Sequence, residues 1–129
     1  MIELAKNSDF QFSFNIDDYK EVNGVRKFVG TDDLTEYSKI IVKLGYAQSL
    51  TPEIKYTTET PTPTGYRKLT ISGTIASFTV YKEDTAEMNI GDIYMTIELT
   101  TAGAREDGED YKEIKPREKL FKLVDEYGN

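Results

Sequence analysis

Phe10, Phe12, Phe14 and Ile16 alternate with Gln11, Ser13 and Asn15. This period of two predicts a half-buried β-strand, because successive strand side chains point to opposite faces. Ile93, Met95, Ile97 and Leu99 repeat the pattern against Tyr94, Thr96 and Glu98. Between them, Ile40, Val42, Leu44 and Tyr46 share one face, and Ile41 on the other predicts a central strand partly buried on both sides. Ile54, Tyr56 and Thr58 alternate again; residues 59–65 then break the pattern with Pro61 and Pro63, which cannot donate to a ladder, and read as an exposed loop. Residues 66–72 and 74–81 read as two strands joined near Gly73. Asn23-Gly24 between Val22 and Val25 predicts a type I′ turn and a small hairpin over residues 19–28. Residues 83–88 lack alternation and predict one helical turn before Gly91, and residues 111–114 predict a short edge strand.

The end of the chain changes period. Leu120, Leu123, Val124 and Tyr127 stand at i, i+3, i+4 and i+7, one face of a helix over residues 117–126, with Pro116 and Gly128 as start and stop signals. A helix this short is marginal in water by itself, so it must dock, either on its own domain or on a neighbouring subunit. The expected organisation is therefore a β-sandwich over residues 1–115 and an amphipathic tail over residues 116–129. Residues expected to contact other subunits are Leu120, Phe121, Leu123, Val124 and Tyr127, with Ile2 and Leu4 adding a strand to a neighbour's sheet edge.

The length of 129 residues allows one domain. Short strands, turn signals and the lack of a long helix predict an all-β fold, an antiparallel sandwich. A net charge of −7 repels phosphate backbones and anionic lipid on average, so neither nucleic acid nor a membrane is the expected partner. The chain has no cysteine and no histidine, which removes disulfides, ordinary zinc sites and every nucleophile–histidine pair. No enzyme activity, catalytic residue, cofactor or metal is expected. Glu3, Lys6 and Asp9 interrupt any apolar signal sequence, so the expected place of synthesis is the cytoplasm.

Two surface features suggest binding. Glu106, Asp107, Glu109 and Asp110 form an acidic turn between or beside Gly103 and Gly108, which reads either as a calcium loop or as a solvated turn that discourages edge-to-edge aggregation. The nine tyrosines could form a platform for sugar rings. Tyr46, Tyr56, Tyr66, Tyr81 and Tyr94 fall in expected strands, where packing accounts for them, whereas Tyr19, Tyr37, Tyr111 and Tyr127 are freer for a contact surface. A soluble carbohydrate- or protein-binding module is thus the alternative reading.

Asp32-Asp33-Leu34-Thr35 precedes the strand with Ile40-Ile41-Val42, and Glu83-Asp84-Thr85 leads through Gly91 into the strand that begins at Ile93. In this order the chain resembles the immunoglobulin-like N-terminal domain of upper baseplate proteins and related structural modules of tailed bacteriophages, in patches over residues 9–103. The resemblance implies an immunoglobulin-like sandwich and a non-enzymatic virion structural role, in capsid decoration, a head fibre or the baseplate. The implied partners are other virion subunits or further copies of the chain.

Overall fold

The computed structural model describes residues 2–48 and 51–126. Strands take up 57% of it against 7% helix, so the protein is all-β. The strands are β1 (Ile2–Ala5), β2 (Phe10–Phe14), β3 (Asp17–Val22), β4 (Val25–Thr31), β5 (Lys39–Tyr46), β6 (Ile54–Thr57), β7 (Arg67–Lys68), β8 (Thr70–Ser72), β9 (Ile75–Val80), β10 (Gly91–Thr101) and β11 (Tyr111–Val124). A 3₁₀ turn over Leu34–Glu36 precedes β5, and α1 (Lys82–Glu87), the one α-helix among the described residues, lies between β9 and β10.

Six strands form one sheet in the order β1-β11-β10-β5-β6-β7, three form a second in the order β2-β9-β8, and among the described residues β3 and β4 pair only with each other. The expected all-antiparallel pairing is corrected at two places: β1 runs parallel to β11, and β7 runs parallel to β6. The residues 66–72 expected as one strand divide at Leu69, which is buried; Arg67–Lys68 pairs in the larger sheet and Thr70–Ser72 in the smaller. The core lies between the two sheets. Phe12 stacks on Phe121 at 5.4 Å and on Phe78 at 5.5 Å, and Phe78 meets Tyr56 at 4.7 Å, so a chain of rings joins one sheet to the other. Tyr56 is almost wholly buried, and its hydroxyl donates to the Thr79 carbonyl at 2.8 Å, which satisfies the one polar atom it brings inside.

The C-terminal segment is a strand, which overturns the helix expected over residues 117–126. β11 continues unbroken from Tyr111 through Pro116 to Val124 and pairs with the length of β10. Pro116 is accommodated because the register slips beside it: Ile97 faces Lys115 and Met95 faces Glu118, leaving Pro116 and Arg117 opposite Thr96. A bulge is where a strand tolerates a residue without an N–H. The proposed boundary between residues 115 and 116 therefore falls inside a strand.

Glu98 stands on the outer face of the larger sheet, yet its side chain is only 6% exposed. Lys112 reaches one of its oxygens at 2.8 Å and Lys43 bonds the other. Burial pushes the Glu98 carboxyl up, but the hydrogen bonds from Lys112 and Lys43 outweigh it and hold the group below its ordinary value. A depressed carboxyl contributes stability above its unfolded value and loses it as the pH falls through the folded one. Glu98→Gln is accordingly expected to cost about 1–2 kcal/mol at neutral pH, discounted for the exposure of both lysines. In urea titrations the gap from the parent should close as the pH falls below about 4.

Candidate functional site: a projecting aromatic hairpin and its neighbouring loops

Asn23 and Gly24 adopt φ of 53° and 77°, the left-handed pair that a type I′ turn requires, and so close β3 onto β4. The hairpin is longer than the sequence suggests, Asp17–Thr31 rather than residues 19–28. Every residue of β3 is exposed, and β4 is exposed up to Val29. Tyr19, Val25, Phe28 and Val29 remain 48–58% exposed. Tyr19 and Phe28 meet edge-on across the ladder at 5.9 Å, and the Arg26 guanidinium lies 4.5 Å from the Tyr19 ring centre. These contacts stiffen the hairpin without burying it. Two strands alone are marginal in water, so this apolar surface is held out at a cost that a partner would offset.

The base of the hairpin is anchored. The Asp32 N–H donates to the Ile16 carbonyl at 2.8 Å, and Leu34, wholly buried, donates its N–H to the Gly73 carbonyl at 2.9 Å. Tyr37 donates its hydroxyl to Asp32 at 2.5 Å, and burial together with that bond raises its pKa. Asp32 beside it holds the Asp18 carboxyl above its ordinary value, while Asp18 and the Tyr37 hydroxyl hold the Asp32 carboxyl below its own. Between hairpin and sheet lies a groove of about 450 Å3, lined on its apolar side by Phe14, Ile16, Tyr19, Met95 and Ile97. Lys115, Glu118 and Arg26 line its rim.

The register puts three connections at one end of the protein. Lys39 pairs with Thr100, Ile41 with Thr57, and Thr101 with Tyr111. The hairpin before β5, the Thr-Pro loop after β6 and the acidic turn after β10 therefore emerge together. In the acidic turn, Asp107 accepts from the Glu109 N–H at 3.1 Å and pairs with Arg105 at 2.7 Å, while Asp110 accepts from the Gly103 N–H at 3.1 Å. These carboxylates organise their own backbone. Among the described residues, no three acidic side chains converge closely enough to hold a metal ion.

A second cleft, of about 600 Å3, opens beside the Thr-Pro loop between Thr62, Tyr66, Arg67 and Tyr81. Its guanidinium is engaged within the chain: Arg67 bonds both oxygens of Asp84, which in turn accepts the Tyr81 N–H at 2.9 Å.

The residues expected to dock elsewhere lie in this chain's own core. Phe121 and Leu123 have no exposed surface, Val124 and Leu4 are buried, and Leu120 packs against the same cluster. Ile2 is 44% exposed, but β1 pairs with β11 of its own chain rather than a neighbour's edge. Tyr127 lies outside the described residues. Of the tyrosines marked for a contact surface, Tyr19 and Tyr111 are exposed and Tyr37 is half-buried. Sequence reasoning passed over Val25, Phe28 and Val29, although their position beside Asn-Gly in a run without strict alternation was a visible signal. No protein-family model, curated protein or solved structure matches the chain.

Proposed function

We propose that the protein is a non-enzymatic structural subunit whose hairpin β3–β4 seats on a neighbouring subunit of a larger assembly. The observation that carries this reading is the hairpin itself, with Tyr19, Val25, Phe28 and Val29 displayed on an arm that pairs with no other strand among the described residues. The immunoglobulin-like reading is supported by strand order. β2-β9-β8 corresponds to strands B-E-D, and β11-β10-β5-β6-β7 corresponds to G-F-C-C′-C″, the arrangement of a variable-type sandwich. On that mapping the hairpin is an insertion between strands B and C, at the end from which such domains present their binding loops. Placement in a tailed-phage virion, as a decoration, fibre or baseplate subunit, rests on the resemblance of residues 9–103.

Quantitative mass spectrometry of gradient-purified particles from cells carrying the gene tests this. The chain is expected at a fixed ratio to the major shell protein, near one for a decorating subunit and far lower for a baseplate or fibre component. Phe28→Asp, on an exposed side chain, is expected to reduce that occupancy at least tenfold with an unchanged melting temperature. Clean particles lacking the parent chain would overturn the virion assignment, and undiminished occupancy of the Phe28→Asp variant would overturn the hairpin's role.

A further inference from the structure

The charge of the molecule is partitioned. Along β5 the core positions Ile40, Val42 and Leu44 alternate with Lys39, Ile41 and Lys43, which therefore face outward on the larger sheet. The cross-strand register carries the same face through Lys55 and Thr57 on β6, Lys68 on β7, and Tyr94, Thr96, Glu98 and Thr100 on β10. On β11 it carries Lys112, Arg117, Lys119 and Lys122. Eight cations thus stand there against four carboxylates, Glu3, Asp92, Glu98 and Glu59, the last accepting from the outward Thr57 hydroxyl at 3.0 Å. That face is positive by four charges in a chain whose net charge is −7, so the remainder carries eleven negative charges in excess.

Three of the cations are spent on that face, Lys43 and Lys112 on Glu98 and Lys119 on Asp92. Lys39, Lys55, Lys68, Arg117 and Lys122 have no carboxylate partner among the described residues. Lys55 lies 4.4 Å from the Tyr66 ring centre and Arg117 lies 5.1 Å from that of Tyr94. These cations cover the aromatic faces on which bases would stack, which disfavours single-stranded nucleic acid as the occupant.

We propose that this basic sheet face receives the acidic turn of a second copy of the same chain. The inference rests on the reading of the protein as an assembly subunit. The turn is an exposed tip whose backbone is fixed by its own hydrogen bonds, and the carboxylates of Glu106 and Glu109 have no partner among the described residues. A tip at one end meeting a face on the side is a heterologous contact, which propagates from copy to copy. Five strands at ~4.8 Å spacing, over about eight residues at ~3.4 Å, give a face of roughly 500 Å2. That sits at the low end for a specific interface, so the contact is weak and governed by salt.

The test is sedimentation of the full chain across a concentration series at about 20 mM and about 500 mM NaCl. The parent is expected to self-associate at low salt, with the association constant at least tenfold weaker at high salt. Lys39→Glu/Lys68→Glu and Glu106→Lys/Glu109→Lys are each expected to stay monomeric alone. Their equimolar mixture is expected to associate, because each then offers the other a complementary pair of surfaces. A monomeric parent at low salt, association indifferent to salt, or a mixture that fails to recover would each overturn the proposal. So would tight, salt-sensitive binding of a 20-nucleotide single strand that is lost in the lysine variant, which would reassign the face to nucleic acid. Phe28→Asp leaves both charged surfaces intact, so failure of the hairpin reading and failure of this one are separately visible.

Discussion

Removal of residues 116–129 is expected to abolish cooperative folding. Those residues hold the half of β11 that lies between β10 and β1: Phe121 faces Ile93 on one side and Ile2 on the other, and Leu123 faces Gly91 and Leu4. Truncation would unpair both neighbours and empty the core beside Phe12. A single substitution at its centre measures the same contribution without cutting the chain. Phe121 is wholly buried and stacked on Phe12 at 5.4 Å, so Phe121→Ala should cost about 3–5 kcal/mol from lost transfer energy and the cavity left behind. Against a total stability of about 5–15 kcal/mol, that leaves the variant barely folded at best. Circular dichroism melts and urea titrations would read both effects. A truncated chain that melted cooperatively near the parent temperature would refute the account of β11 as a structural strand.

The same segment shows what the sequence could and could not disclose. β2, β5 and β10 were legible because each sets its core-facing residues two apart; Phe12 sits between exposed Gln11 and Ser13, and Ile40, Val42 and Leu44 fall on one face of β5, with Ile41 buried on the other. The turn at Asn23-Gly24 was legible because few residue pairs adopt two positive φ angles without strain. At the C-terminus, Leu120, Leu123 and Val124 satisfy the helical period while Phe121 and Leu123 satisfy the period of two. In so short a segment, long-range pairing with β10 and β1 decides, and local pattern does not. Parallel partners such as β1 and β11 are separated by nearly the whole chain and leave no local mark. The basic sheet face was hidden for a related reason: the cations contributing to it come from β5, β6, β7 and β11, and only the register collects them, while the net charge of −7 points the other way.

Excising the hairpin is expected to leave the sandwich folded and eliminate its docking. The two ends of the arm already touch, since the Asp32 N–H donates to the Ile16 carbonyl at 2.8 Å, so a short Gly-Gly link from Ile16 to Asp32 spans the gap without moving either residue. Residues 17–31 contribute no buried side chain to the core, whereas Ile16 and Leu34 on either side of the excision are buried and are retained. Lost contacts with the body are the groove formed with Asp17, Tyr19 and Arg26 and the Asp18–Asp32 pair, and a shorter loop costs the folded chain less entropy to close. The melting temperature is therefore expected to stay within a few degrees of the parent, a shift worth about 1 kcal/mol at this size. Particle occupancy should fall at least as far as with Phe28→Asp. In the parent, hydrogen exchange should separate the same two units: amides of β3 and β4 exchange through local opening far faster than those of β10, which lie between β5 and β11. An excised variant that loses its cooperative transition would show that the arm belongs to the folding unit, and β3–β4 would then have to be treated as part of the sandwich rather than as the surface it presents.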